Sequence, residues 1–349
     1  MDNKDLPPLQ GGNWLVIAQP PTLLQRTANI ILKRVSNISA WLSALLVVFI
    51  LLRITAKALP AMSQYGIKFL TETTWDPLTE NYGILPEIWG TLYTSFLALI
   101  AGSFFGVAAA IFLSEGFLGQ AIFVVLKIFK IETCPVFSKL PEQLDGLLRN
   151  LIELLAAIPS VVYGLWGIFV LIPAIRPVCN WFNSKLGWVV FFGTPLSGPG
   201  VLPAVIVLSI MILPTITAIS RDALEAVPPK LRMAAYGIGA TRWETILAVI
   251  IPVATRGIAG AVILAFGRAL GETMALAMLV GNSNSLSLSL FSPANTLASL
   301  LANNFPEAGH REVSVLMYAA LVLLAITLFV NVIGALILQK ASRAAAGGR

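Results

Sequence analysis

The sequence predicts an all-α integral membrane protein that crosses the bilayer six times, and three observations carry that prediction. Hydrophobic residues make up 57% of the chain and charged residues 11%, whereas a soluble domain carries about 25% charge. A chain so poor in charge cannot cover its surface with polar groups, so much of that surface faces lipid. Six apolar runs each hold roughly the 20 residues needed to cross a hydrocarbon core of about 30 Å at about 1.5 Å per residue. The basic residues behind the net charge of +6 flank these runs, so they read as topology signals and not as a nucleic-acid surface.

The first 21 residues contain Pro7, Pro8, Pro20 and Pro21 and lack a basic start followed by an apolar core. No cleavable leader is expected, and the first span acts as its own insertion signal. Residues 1–37 form an N-terminal cytoplasmic or interfacial segment. Within it Thr22–Ser36 sets Leu23, Leu24, Ile30 and Ile31 against Arg26, Lys33 and Arg34, the pattern of a helix lying on the bilayer. The transmembrane domain covers 38–340, and 341–349 form a tail. Its spans run at about Ile38–Leu59, Ile88–Leu113, Leu151–Ile175, Val201–Ser220, Gly257–Gly281 and Val313–Leu338. They are helices because the backbone must satisfy its own hydrogen bonds in lipid. Pro159, Pro203 and Pro214 fall inside spans, where proline kinks a helix. Ala121–Ile131 is apolar but too short to cross and contains Lys127 and Lys130, so it too is expected on the bilayer surface.

Orientation follows from the excess of Lys and Arg on cytoplasmic loops. With the N-terminus inside, sixteen basic residues fall on inside segments and six lie outside or near the outer end of the first span. Both termini are therefore expected in the cytoplasm, with Cys134 inside and Cys179 outside. The outer segments 60–87, with Glu72, Asp76, Glu80 and Glu87, and 282–312, rich in Asn and Ser, read as solvated connectors or as docking sites for a soluble partner.

Two segments carry chemistry. The first is the polar stretch 221–256 between the fourth and fifth spans. Pro228 and Pro229 suit the start of a short helix over Lys230–Tyr236, and Gly237 and Gly239 suit its end. Ala234 and Ala235 give that helix a small, flat face, the kind that docks into a groove of another protein. The second is the fifth span, which holds Arg268 and Glu272. Each charge would cost about 2.5–3.5 kcal/mol at the bilayer centre. Four residues apart on one helix they share a face and can pair. The alternatives are an ion pair that fixes packing and an anion site, in which the Arg fork matches the paired oxygens of a tetrahedral oxyanion. Gly267 and Gly271 form a Gly-x-x-x-Gly that permits close helix contact.

These segments resemble a known family. ATP-binding-cassette importers carry a cytoplasmic loop with the pattern E-A-A, three residues, Gly, nine residues, then I-x-L-P. Here Met233-Ala234-Ala235 is followed at that spacing by Gly239 and by Val249-Ile250-Ile251-Pro252. Met233 replaces the usual Glu, which removes one salt bridge to an ATPase and leaves the docking helix. "GRALGETMALAMLVGN" and "LIELLAAIPSVVYGLWGIFVLIP" are similar to the PstC-type permeases of phosphate importers, and Met274-Ala275 after Gly271-Glu272-Thr273 favours that type over the partner permease, which typically continues "GETAP".

The resemblance implies a type I importer permease fold in the inner membrane. It implies inorganic phosphate as substrate, with Arg268, Glu272 and Thr273 on the pathway. Lys230, Arg232, Met233, Ala234, Ala235, Gly239 and Pro252 would form the ATPase-coupling element. The implied partners are a PstA-like second permease, a PstB-like ATPase dimer holding ATP-Mg, and a PstS-like phosphate-binding protein outside. A permease for sulfate or molybdate shares the loop and is the alternative.

Other classes find no support in the sequence. No Gly-x-x-x-x-Gly-Lys-Ser/Thr stretch is present, so ATP must be held elsewhere. Two cysteines and His310 have no metal-ligand spacing, so no metal, cofactor or catalytic group is expected on this chain. An intramembrane enzyme would need a nucleophile or a metal set within its spans. Tyr163 and Trp166 read as packing aromatics, and Glu153 as a residue near the cytoplasmic start of the third span.

Overall fold

The computed structural model describes residues 23–117 and 140–346. In chain order these form α1 (Leu23–Tyr65), a hairpin of β1 (Trp75–Asp76) and β2 (Asn81–Tyr82), α2 (Leu85–Ser114), α3 (Leu140–Ala157), α4 (Ser160–Leu186) and α5 (Val201–Glu225). Then follow α6 (Pro229–Gly237), α7 (Arg242–Leu270), α8 (Met274–Leu279), α9 (Leu297–Asn304) and α10 (His310–Ala346). Among the described residues α1, α2, α4, α5, α7 and α10 are long and apolar enough to cross a membrane. Ala121–Ile131 and Cys134 lie outside the described residues.

The chain divides into two compact units, residues 1–56 and 57–349. In the first, α1 presents exposed apolar side chains such as Trp41, Leu45 and Phe49. Thr22–Ser36 does not form a separate surface helix: from Leu23 onward it is the beginning of α1. No Gly or Pro occurs between Leu23 and Leu59, so nothing interrupts the helix at residue 37. At the far end α10 likewise continues past residue 340 to Ala346.

The core of the second unit is the contact of α2 with α5. Gly102 and Gly106 lie one turn apart on α2, and a Cβ at Gly102 would stand 2.7 Å from the Ile212 side chain. The backbones approach closely enough for Ser209 Oγ to donate to the Ala98 carbonyl at 3.2 Å and Thr217 Oγ1 to the Gly106 carbonyl at 3.1 Å. Small residues and interhelical hydroxyls hold membrane helices together because lipid supplies no hydrophobic drive between them. Gly257 on α7 meets Ala223, and Gly334 on α10 meets Ile263. Of the pair expected at Gly267 and Gly271, Gly267 also meets α10, where a Cβ would stand 2.9 Å from the Asn331 side chain, whereas Gly271 lies beyond the end of α7.

Two expected spans have different bounds. Leu151–Ile175 is not one helix. α3 ends at Ala157 and α4 starts at Ser160, with Pro159 as its N-cap at ψ 140°. Proline clashes with a helical predecessor, so the chain stops there and restarts. Tyr163 Oη donates to the Leu155 carbonyl across the break at 2.8 Å, satisfying an acceptor that the helix end leaves free. The fifth span runs over Arg242–Leu270, not Gly257–Gly281. Pro203 lies in the first turn of α5, where a missing N–H costs nothing, and only Pro214 is interior.

α4 and α7 share a device. Each contains a π-turn, Gly167–Leu171 and Ile246–Ile250, followed at once by Ile-Pro. Pro173 and Pro252 have no N–H for the carbonyls four residues back, and their rings crowd those carbonyls. The Ile172 and Ile251 N–H groups bond five residues back, to Gly167 and Ile246. One wide turn thus absorbs each proline.

Candidate functional site

α7 ends inside the bundle. Gly271 caps it, donating to the Arg268 carbonyl at 3.2 Å, and Glu272 N–H donates to the Ala269 carbonyl at 3.4 Å. The chain passes through Thr273 and starts the single short helix α8 at Met274. Arg268 therefore occupies the last turn of α7, where a cation faces the negative end of the helix dipole. Its Nη1 donates to Thr215 Oγ1 on α5 at 3.1 Å. Thr215 stands fourteen positions from Val201 and ten from Glu225, about 21 and 15 Å along the axis at the helical rise. This places Arg268 near the middle of the span.

Arg268 and Glu272 do not share a helix face and do not pair. The break at Gly271 turns Glu272 away, and its Oε1 accepts from Ala275 N–H at the start of α8 at 3.4 Å. Thr273 Oγ1 donates to the Gly271 carbonyl at 3.1 Å. Among the described residues Arg268 makes no ion pair. The structural alternative, a mutual ion pair that fixes packing, is thereby removed. An exposed guanidinium held by one neutral hydroxyl leaves most of its N–H fork open, which is what a bidentate oxyanion contact requires.

At one end of the bundle α6 projects as the sequence suggests. Pro228 is its N-cap, Pro229 its first residue, and Gly239 follows at φ +87°, a left-handed conformation that only glycine adopts at little cost. Lys230, Met233 and Ala234 are exposed, Met233 at 64% and the following Ile238 at 88%. Ala235 is 5% exposed and packs inward, so the two alanines do not form one outer face.

Arg232 also turns inward. Its Nη1 meets Glu115 Oε1 at 2.6 Å and its Nη2 donates to the Leu224 carbonyl at 3.0 Å. Arg242 donates to the Glu115 carbonyl and lies over the Phe117 ring, which stacks on Trp243. Thr241 and Glu244 form a reciprocal cap that starts α7. The end of α2 is thus tied to both flanks of α6. Pro252 sits behind this assembly as the cause of the wide turn in α7. Glu153 is exposed on α3.

At the opposite end, part of the Asn- and Ser-rich stretch expected as a solvated connector or docking site folds into the bundle. Phe291–Leu300 is buried except for Pro293. Asn295 Nδ2 donates to Glu87 Oε1 at 3.4 Å and to Asn284 Oδ1 at 3.2 Å, and its Oδ1 accepts from Ser299 Oγ at 2.7 Å. Leu297 N–H donates to Thr91 Oγ1 at 2.9 Å. Glu87, expected on an outer acidic loop, is 0% exposed. Gly90 admits this plug: a Cβ there would stand 1.9 Å from the Asn295 carbonyl oxygen. Composition could not reveal the plug, because its amides and hydroxyls bond chiefly to one another instead of water. Cys179 is buried as well.

Comparison with known proteins places this geometry. Residues 136–343 match the family described as binding-protein-dependent transport system inner membrane component. The chain is 38% identical to the phosphate transport system permease protein PstC of Haemophilus influenzae, over 88% of this chain and 92% of that protein. It is 39% identical to the protein of the same name from Mesorhizobium japonicum, over 80% of each chain. A probable PstC of Methanocaldococcus jannaschii is 35% identical over 86% of this chain and 91% of that one. Among solved structures, the fold is similar to a chain of a bacterial alginate ABC transporter in complex with its pentasaccharide-bound periplasmic protein, with TM-score 0.53 at 16% identity over 86% of this chain and 93% of that one. A chain of the inward-facing MetNI methionine ABC transporter gives TM-score 0.50 at 16% identity, over 77% and 99%. At such identities these likenesses speak for the fold alone, which is that of type I ABC importer permeases.

Proposed function

The chain belongs to the binding-protein-dependent transport inner membrane components, and within them to the PstC-type permeases; from that membership we propose that it carries inorganic phosphate across the inner membrane in an ATP-driven importer. It is a multi-pass inner membrane protein and a transport component rather than a catalyst. One observation supports the assignment of the pathway to this chain's own residues: Arg268 stands at mid-span with an open N–H fork and no carboxylate partner among the described residues. An unpaired cation at that depth is costly unless it serves a passing anion.

In this reading both termini and α6 face the cytoplasm, and the plug faces outward. A PstA-like permease supplies the other half of the pathway, and a PstS-like protein delivers phosphate to the plug end. ATP-Mg is bound and hydrolysed by a separate PstB-like ATPase dimer. Its closure pushes on α6, where Lys230, Met233 and Ala234 present the contact surface and Gly239 sets its angle. Arg232, through Glu115 and Leu224, passes that push to α2 and α5. Ala235 packs α6 onto the bundle, and the wide turn at Pro252 gives α7 a joint.

Arg268 attracts the anion, and Glu272 and Thr273 line its path. Phosphate near neutral pH keeps a proton that a carboxylate can accept as a hydrogen bond, whereas sulfate offers only repelling oxygens. A hydrogen bond to a charged group contributes about 1.5–3 kcal/mol, enough for a tenfold to hundredfold preference.

Uptake of phosphate and sulfate by the complete importer in vesicles tests this. Arg268→Gln should abolish phosphate uptake without loss of assembly, and Glu272→Gln should impair it and weaken rejection of sulfate. Normal phosphate uptake by both variants would move the anion site elsewhere. Transport of sulfate or molybdate in place of phosphate by the unaltered importer would establish the alternative substrate.

A further inference from the structure

Thr215, the residue that holds Arg268, has a hydrogen-bond count that does not close. A threonine inside a membrane helix commonly turns its hydroxyl back to the carbonyl four residues earlier. Thr91 does so to Glu87 at 2.7 Å, and Thr94 does so to Gly90 at 2.7 Å. Thr217 donates across to α2, to the Gly106 carbonyl at 3.1 Å. Thr215 does neither. Its hydrogen bond among the described residues is the one it accepts from Arg268 Nη1 at 3.1 Å. The acceptor side of the hydroxyl is engaged and its O–H hydrogen is uncommitted.

The surroundings separate Thr215 from its neighbour two positions on. Thr217 is 1% exposed between α2 and α5, where it joins the two helices. Thr215 is half-buried and faces the end of α7. It follows Pro214, the one interior proline of α5. The missing proline N–H and its ring loosen that turn of the helix.

We propose that Thr215 is a second donor of the anion site, orienting the Arg268 guanidinium through Oγ1 and giving its own O–H to an oxygen of the translocated oxyanion. A hydroxyl hydrogen-bonded to the guanidinium can reach the same tetrahedral anion that the guanidinium holds. It adds direction without adding charge. This inference rests on the reading of Arg268 as the anion group.

The complete importer, reconstituted in vesicles with its binding protein and with ATP on the ATPase side, provides the test, with labelled inorganic phosphate as probe. Thr215→Val keeps the shape and removes the hydroxyl, and Thr215→Ser keeps the hydroxyl. Thr215→Val should lower the maximal uptake rate about tenfold, the loss expected for one hydrogen bond to an anion. Thr215→Ser should restore at least half of the original rate. Rescue by serine is the readout that a purely packing role would not give, because serine loses the methyl group that packing needs.

Arg268→Gln is the reference. If it abolishes uptake while Thr215→Val transports normally, Thr215 lies outside the site and the reading of Arg268 stands. If Arg268→Gln also transports normally, that reading fails and this inference fails with it. Equal loss in Thr215→Val and Thr215→Ser, in assembled complexes, overturns the hydroxyl's role. Should Thr215→Val not assemble, Thr215→Ala replaces it, and equal rates for Thr215→Ala and Thr215→Ser have the same consequence.

Discussion

The two ends of the bundle close in opposite ways. At the α6 end one ion pair turns inward and large apolar side chains turn outward: Arg232 and Glu115 pair beneath the helix while Met233 and Ile238 are exposed. At the α9 end amides and hydroxyls turn inward and satisfy one another around Asn295 and Thr296. A strut of opposite charges beneath an unfinished apolar tip suits a surface that meets another protein and transmits force. A plug whose amides and hydroxyls bond to one another suits a seal.

Three substitutions probe that contrast. The largest effect is expected at the seal. Gly90→Val forces two branches of side chain into the Asn295 carbonyl, and backbone cannot yield as a flexible side chain can. Overpacking costs about 1–3 kcal/mol in ordinary cores, and contact this close belongs at or above the upper end. The melting temperature of the purified complex should fall by several degrees, and unchanged melting would mean that the plug is loosely seated.

A smaller effect is expected at the strut. Glu115→Gln removes the charge beneath Arg232. Breaking a buried pair costs about 3–5 kcal/mol, but Arg232 keeps 23% side-chain exposure and its bond to Leu224, so about 2 kcal/mol is expected after solvent screening. The ATPase should co-purify less well because α6 loses its anchor. Full co-purification at normal stability would show that α6 is held by Arg242 and the Phe117 stack alone.

The smallest stability effect belongs to Gly239→Val. Nothing lies within 4 Å of a Cβ there, so the cost is that of the left-handed backbone alone, about 1–2 kcal/mol. Its consequence should appear instead in ATPase coupling. Gly239→Val with wild-type uptake and wild-type ATPase retention would remove α6 as the joint.

The same contrast explains what could be read from sequence. The six spans were legible because lipid tolerates no exposed polar backbone, so length and apolarity leave few choices. The α6 element was legible because Pro228, Pro229 and Gly239 are punctuation with a direct backbone meaning. The end of α7 at Gly271 was not: hydropathy averages over a whole span, and the run through Met274–Gly281 stays apolar across a break only three residues long. The plug was hidden for a different reason. Asn284, Asn295 and Ser299 look like loop residues taken singly, and only their mutual positions make them a core. The contact at Gly102 and Gly106 was not read from the sequence, because the partners that give it meaning, Ser209 and Thr217 on α5, come only with the fold.

The early stop of α7 has a consequence for how long cargo stays. The carbonyls at a helix end together amount to roughly half a negative charge. They sit in the same turn as the single positive charge of Arg268. On the proposed reading of Arg268, an approaching anion feels a softened attraction, set partly by the backbone and not by the side chain alone. A carrier is limited by departure as much as by capture, and a full, unopposed cation at mid-bilayer would make each visit long. On the same reading of Arg268, ending the helix there shortens the dwell of each passing ion. In that reading turnover is tuned by the carbonyl end of a helix, which no side-chain substitution removes.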